Sequence, residues 1–123
     1  MKIGLIGAGR LGICLALLIE KAGYEVLASD NRVDYINSLQ KGIIDTAEPE
    51  VQQYLSDAKN IEFTTDNIRV ISECDLIFTL VATPSLADGS YDVSAVWKVI
   101  DDFKDIPILL DEKSLVIGCT TNP

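Results

Sequence analysis

Three glycines and one acid are the residues whose types and spacing first imply chemistry. Gly7-Ala8-Gly9-Arg10-Leu11-Gly12 fits G-x-G-x-x-G. In such a loop the first glycine permits a tight turn out of a strand. The second lets a pyrophosphate approach the backbone, and the third lets helix and strand pack closely. Free N–H groups at the helix start then bind the diphosphate. Asp30 follows Gly12 by eighteen residues, close to the expected interval of about 20. A carboxylate there accepts the adenosine ribose hydroxyls and repels a 2′-phosphate, which favours NAD over NADP. Arg32 pulls the other way, because a nearby Arg accommodates that phosphate. The plainer alternative is that the glycines serve only the turn and Asp30 merely ends a strand. Strand, helix and acid occurring together favour nucleotide binding.

A second group lies at Val81-Ala82-Thr83-Pro84. These residues leave a strongly apolar stretch that neighbours the first strand in a doubly wound sheet, beside the crevice where ligands bind. The Thr83 hydroxyl is placed to contact the nicotinamide ribose, and Pro84 stiffens the loop. An ordinary strand exit is the alternative. Other chemistries find little support. There is no His, so His-based acid–base catalysis and His-containing metal sites are excluded from this stretch. Cys14, Cys74 and Cys119 are odd in number and widely spaced, which argues against a disulfide framework or a zinc site. Reduced thiols point to a cytoplasmic protein. The acids Asp101, Asp102, Asp105, Asp111 and Glu112 lack EF-hand spacing and read as a solvated face. No metal is expected.

The elements that must hold these residues alternate. Met1–Ile6 predicts a buried strand, and Leu11–Lys21 a helix buried on most faces, stopped by Ala22-Gly23. A second strand covers Tyr24–Ser29. A second helix covers Val33–Lys41, with Val33, Ile36 and Leu39 or Gln40 inward. A short helix over Glu50–Leu55 follows Pro49 at or near its first position. Ile61–Thr64 predicts a strand, Asn67–Ser72 a helix and Asp75–Val81 a strand buried on both faces. After a loop over Ala82–Asp92, Val93, Val96, Trp97 and Ile100 mark an amphipathic helix that Asp92 caps. Leu115–Cys119 is the last strand. This order specifies an α/β fold: a Rossmann-type doubly wound parallel sheet with helices on both faces, truncated after about the fifth strand.

Composition agrees. The chain has 123 residues, 48% apolar and 24% charged, enough for one hydrophobic core. Ten basic residues against 19 acidic ones give a net charge of −9. That balance disfavours nucleic acid and anionic membrane surfaces as partners. The apolar run Leu11–Ile19 is far short of the roughly 20 residues that span a bilayer.

The residues from Val81 to Asp92, V-A-T-P-S-L-A-D-G-S-Y-D, resemble the hallmark loop of the UDP-glucose/GDP-mannose dehydrogenase family, in which V-x-T-P runs into D-G-S-x-D. Further matches keep the family's order: Lys2–Gly12, Asp30 with Arg32-Val33, Gly42, Glu48-Pro49, and Cys119-Thr120 with Pro123. The resemblance covers essentially the whole chain. The departures are Cys119 for Ser, Thr121-Asn122 before Pro123, and Glu50 where Gly is common.

The resemblance implies the NAD-binding domain of a nucleotide-sugar 6-dehydrogenase, which oxidises a sugar C6 alcohol to a carboxylate with two NAD in succession. It implies cofactor contacts from Gly7, Gly9, Arg10, Leu11, Gly12, Asp30, Arg32, Val81, Ala82, Thr83, Pro84 and Thr120. The nucleophilic Cys, and most of the UDP- or GDP-sugar site, would belong to domains beyond Pro123. The 123-residue chain alone is then expected to be inactive, and the full-length protein to be a homodimer. Two other readings remain open at this point: another Rossmann dehydrogenase, acting on 3-hydroxy acids, or a non-enzymatic nucleotide-sensing regulatory domain. Neither has a reason to carry the Thr-Pro loop with Asp-Gly-Ser.

Overall fold

The structure is a computed structural model that describes residues 1–106 and 112–122. Five strands form one sheet: β1 (Lys2–Ile6), β2 (Glu25–Ser29), β3 (Ile61–Thr64), β4 (Leu76–Thr79) and β5 (Ser114–Ile117). Their order is β3-β2-β1-β4-β5, and every neighbouring pair is parallel. Five helices alternate with them: α1 (Arg10–Lys21), α2 (Val33–Gln40), α3 (Val51–Asp57), α4 (Asn67–Glu73) and α5 (Ser94–Lys104).

Successive residues of a strand point to opposite faces, and the core divides accordingly. Leu5, Val26, Ala28 and Phe63 pack with residues of α1, α2 and α3. Ile6, Leu27 and Ile77 pack with Val70, Ile71 and Val99 of α4 and α5. Leu5, Ile6, Leu27 and Ile77 are 0–1% exposed. Each such burial contributes about 1.5–3 kcal/mol relative to exposure, so the three central strands anchor both layers. The reversal of strand order lies between β1 and β4, and their carboxyl ends open a crevice there.

Local chemistry explains several boundaries. α1 ends in a Schellman motif: Gly23 N–H donates to the Glu20 carbonyl, Tyr24 N–H to that of Ile19, and Gly23 has φ +103°. Asp66 caps α4 by accepting from Ile68 N at 3.0 Å and Arg69 N at 3.3 Å. Asp92 accepts from Ser94 N at 3.0 Å, although Val93 holds the N-cap position.

The differences from expectation concern which side chains are covered. α1 buries Gly12, Ile13, Ala16 and Leu17, but Leu11 and Leu18 are 68% and 54% exposed. The helix has one sheet-facing stripe rather than burial all round. Phe78 and Leu76 are half-buried because α1 packs over β1 and β2 and leaves that face of β4 partly open. Val33 is exposed at the start of α2. On α5 it is Val96 and Val99 that are buried, while Trp97 is 57% exposed. The stripe that α5 turns toward α4 and the core around Ile6 and Ile77 carries Val99 and leaves Trp97 outside it. Pro49 precedes α3 by two residues, and the N-cap Glu50 has φ +66°. β5 stops at Ile117, two residues before Cys119. Asp111 and Pro123 lie outside the described residues.

Candidate functional site

The glycine loop is folded by a close approach. A Cβ on Gly12 would stand 2.0 Å from the Gly7 carbonyl oxygen, a distance no side chain tolerates. Gly7 has φ +99°, and a Cβ there would meet the Leu80 carbonyl group at 2.7 Å. A Cβ on Gly9, in contrast, finds only the Arg32 Nη2 at 4.0 Å. The space above Gly9 is open, as a cradle for a diphosphate requires. The Ser29 carbonyl accepts from Gly7 N at 2.9 Å and Ala8 N at 3.0 Å, so β2 pins the loop. The first α1 bond is Ile13 N–H to the Gly9 carbonyl. The N–H groups of Arg10, Leu11 and Gly12 therefore have no acceptor in their own helix. The first turn of α1 holds no acid and its N-cap makes no side-chain bond, which leaves its positive end free for an anion.

Asp30 stands beside this cradle at the end of β2. Its Oδ1 accepts from Arg32 N at 3.0 Å and Arg32 Nε at 2.8 Å. Its Oδ2 accepts from Arg32 Nη2 at 3.0 Å. The carboxylate is 8% exposed and the Arg32 side chain 56%. Burial works to raise the Asp30 pKa, but the Arg32 fork, together with backbone N–H bonds from Arg32 and Ala8, outweighs it and holds the carboxyl below the usual value. The Arg32 guanidinium lies 4.2 Å from the centre of the Tyr35 ring. Tyr35 Oη in turn donates to the Ala8 carbonyl at 2.6 Å. Acid, arginine, tyrosine and glycine loop form one connected unit.

A cleft of about 490 Å³ opens between β1, β4 and the starts of α4 and α5. Gly7, Gly9, Arg10, Asp30, Arg32, Val81 and Ala82 line it, so seven of the expected residues meet in one place. Leu11, Gly12, Thr83, Pro84 and Thr120 are not in its wall. Gly12 packs beneath the loop, Leu11 and Thr120 face solvent, and Thr83 is half-buried just past the cleft. Asn31, Asn67, Ala95, Lys98 and Val99 line the cleft as well, and sequence reasoning passed over them. Asn67 was findable: it follows the helix-capping Asp66, and its Oδ1 accepts from the buried Ser29 hydroxyl at 2.7 Å. For Lys98 no local signal exists, since only the packing of α5 against α4 brings it there.

The loop after β4 has its own order. Ser85 and Tyr91 form an antiparallel bridge, and Gly89 turns the chain with φ +86°. Asn122 clasps this loop from the far side of β5: its Oδ1 accepts from Tyr91 N at 2.8 Å and its Nδ2 donates to the Tyr91 carbonyl at 3.0 Å. Thr83 and Thr120 therefore belong to two segments tied together. Cys119 Sγ donates to the Thr79 carbonyl at 3.2 Å. Burial raises the thiol pKa of Cys14 and Cys119 and pushes that of Cys74 up to about 11. All three remain protonated at neutral pH. Among the described residues there is no cluster of three or more potential metal ligands, and no helix is long and apolar enough to cross a membrane.

A doubly wound parallel sheet, a glycine cradle at a helix N-terminus and an acid at the end of β2 define a dinucleotide-binding domain. The sequence pattern described as the UDP-glucose/GDP-mannose dehydrogenase family, NAD binding domain, matches residues 1–123, and the chain belongs to that family. It is 28% identical over 126 residues to UDP-glucose 6-dehydrogenase of Rickettsia bellii, covering 100% of this chain and 28% of that protein. It is 26% identical over 125 residues to UDP-N-acetyl-D-mannosamine dehydrogenase of Pyrococcus horikoshii, covering 100% of this chain and 29% of that one. In fold it matches the crystal structure of GDP-mannose dehydrogenase from Pseudomonas aeruginosa with a TM-score of 0.91 at 24% identity, over 100% of this chain and 29% of that chain. The chain thus spans less than a third of the length of these relatives.

Proposed function

We propose that this chain is the cofactor-holding part of a nucleotide-sugar 6-dehydrogenase, which oxidises the C6 alcohol of a UDP- or GDP-sugar to a carboxylate. The observation that carries the reading is the open cradle over Gly9 beside Asp30 in one cleft, within a domain of this family. Bound NAD would supply the hydride acceptor. The chain's own residues bind and orient. The N–H groups of Arg10, Leu11 and Gly12 receive the diphosphate, which explains how a chain of net charge −9 holds an anion: local dipoles act at contact, while net charge acts at a distance. Gly7 and Gly12 shape the turn. Asp30 accepts from the adenosine ribose, and Arg32 sets how freely it does so. Val81 and Ala82 form the wall from β4.

Thr83, Pro84 and Thr120 stand past this wall, and the Asn122 clasp keeps their two segments together. In this reading they face the nicotinamide half. The nucleophilic Cys and the sugar-selecting residues belong to other domains of the protein, a division supported by the short share of each relative that the chain covers. The raised thiol pKa values of Cys14, Cys74 and Cys119 support it too, since a nucleophilic Cys needs a depressed one. Three unpaired thiols suit a reducing, cytoplasmic compartment. Homodimeric assembly is the family expectation for the whole protein.

Calorimetric titration of the 123-residue chain with NAD, ATP and UDP-glucose tests the reading. NAD binding without turnover of UDP-glucose is the expected result. Preference for ATP would replace it with a nucleotide-sensing regulatory role, and turnover of UDP-glucose would overturn the assignment of the nucleophile to another domain.

A further inference from the structure

We propose that Asn67 reads the base of the bound dinucleotide, and that buried Ser29 holds it in the orientation that does so. Asn67 Nδ2 donates to the N1 ring nitrogen of adenine, and the site disfavours a purine that carries a proton there. The inference rests on the dinucleotide reading of the cleft and adds to it a choice of base.

A buried hydroxyl fixes which end of the Asn67 amide faces the cleft. Ser29 is 0% exposed, and among the described residues its hydroxyl has one partner, Asn67 Oδ1 at 2.7 Å. Turned over, the amide would put Nδ2 against Ser29. The hydroxyl would then accept, and its own proton would be buried without an acceptor, which is the costlier arrangement. Oδ1 therefore faces Ser29, and Nδ2 is the free end. Among the described residues Nδ2 makes no bond, and the buried side-chain polar atom without a partner is Thr79 Oγ1, not this one. A half-buried residue of the cleft wall thus carries an unspent donor that is open to the cleft.

Asn67 also stands where a base would lie. Ser29 and Asp30 are consecutive and turn apart: Ser29 to Asn67 at the start of α4, Asp30 to the backbone N–H groups of Arg32 and Ala8. One cleft of about 490 Å³ runs past both Asp30 and Asn67. A ribose held by Asp30 therefore passes its base toward α4. Ile6, Val81, Ala95 and Val99 give the cleft apolar walls for the ring faces. A base held between apolar side chains is read by hydrogen bonds to its Watson–Crick edge. In adenine N3 and N7 flank the bond to the ribose, and N1 lies on the far edge, the edge that arrives at Asn67. The other donors of this wall are less defined. Asn31 and Lys98 line the cleft too, but both are exposed, and no bond among the described residues fixes either side chain.

The test is a calorimetric titration of the chain with NAD and with nicotinamide hypoxanthine dinucleotide. The two differ only in the base: in hypoxanthine N1 bears a proton and an oxygen replaces the amine. The wild type is expected to bind NAD at least about tenfold tighter, because two donors meet at N1 of the analogue. Asn67→Ala is expected to bring the two within about threefold, mainly by weakening NAD. Asn67→Asp keeps an oxygen for the Ser29 hydroxyl and turns an acceptor to the base, so the preference should invert in favour of hypoxanthine. Its added charge weakens both ligands alike, since both carry the same diphosphate, and the ratio is untouched by that effect. Ser29→Ala frees the amide to turn and should give a ratio between those of the wild type and Asn67→Ala. Circular dichroism checks that each variant folds. Equal binding of the two dinucleotides by the wild type, or a ratio unmoved by Asn67→Ala and Asn67→Asp, would overturn the proposal. A wild-type ratio in Ser29→Ala would overturn the positioning role of Ser29. Failure of the wild type to bind either dinucleotide would overturn the cofactor reading itself, and this inference with it.

Discussion

The Gly7 carbonyl oxygen lies 2.0 Å from where a Cβ on Gly12 would be, so the first and third glycines of the loop are each other's steric condition. Gly9 has no such constraint; its nearest neighbour in that direction is Arg32 Nη2, at 4.0 Å. One motif therefore holds two kinds of glycine, and two substitutions separate them. Gly12→Ala is expected to destabilise the chain by about 2–4 kcal/mol, since backbone rather than a flexible side chain must move. Gly9→Ala is expected to stay within about 1 kcal/mol of the wild type while weakening NAD at least about tenfold. Urea midpoints and calorimetry read the two effects. Equal loss of stability in both variants would contradict the division.

Glu50 is the one non-glycine residue with positive φ among the described residues, at +66°. A left-handed conformation costs a side-chain-bearing residue roughly 1–2 kcal/mol. Glu50→Gly removes that strain and loses only an exposed bond of 3.3 Å from Tyr54 Oη. A net stabilisation of about 0.5–1 kcal/mol is expected, visible as a higher urea midpoint with unchanged slope. A lower midpoint would show that the Tyr54 contact outweighs the strain.

Asp30 gives a pH dependence of definite sign. Its folded pKa is lowered, because the Arg32 fork and backbone N–H bonds prevail over burial. The resulting stability is fully present above the unfolded aspartate value, about 3.9. It is lost as pH falls through the lower folded value. Asp30→Asn should flatten the fall of the urea midpoint below roughly pH 4 and leave its shape between about pH 6 and 8 alone. Identical acid limbs for both proteins would remove Asp30 from the account.

The Asn122 clasp on Tyr91 is also testable. Asn122→Ala deletes both bonds to the Tyr91 backbone. As exposed bonds that water replaces, they lie at the low end of about 0.5–1.5 kcal/mol each, so global stability should fall by about 1 kcal/mol. Hydrogen exchange at the Tyr91 amide should accelerate while Leu27, inside the core, keeps its protection. Unchanged exchange at Tyr91 would mean that the Ser85–Tyr91 bridge orders the loop by itself.

Much of this was legible in the chain itself. Alternating apolar runs and turn residues determine the order of strands and helices, because both signals are local. The strand–turn–helix position of the G-x-G-x-x-G loop and the place of Asp30 at the end of β2 were legible for the same reason: turn sterics and strand ends are written in a few consecutive residues. The Glu50 departure also stood out, and its left-handed backbone supplies the reason that glycine suits the position. Other features depended on contacts between segments far apart. The arrival of Lys98 and Asn67 in the cleft and the Asn122 clasp were settled only by packing. So was the exposure of Trp97 on a helix whose spacing read as amphipathic. Periodicity tells which residues share a face; which face meets the sheet, and which side chains then converge, is decided by how separate elements dock. The sequence alone determined a dinucleotide-binding α/β domain, and the tertiary structure decided which side chains of distant elements, Asn67 and Lys98 among them, line the cleft beside Asp30.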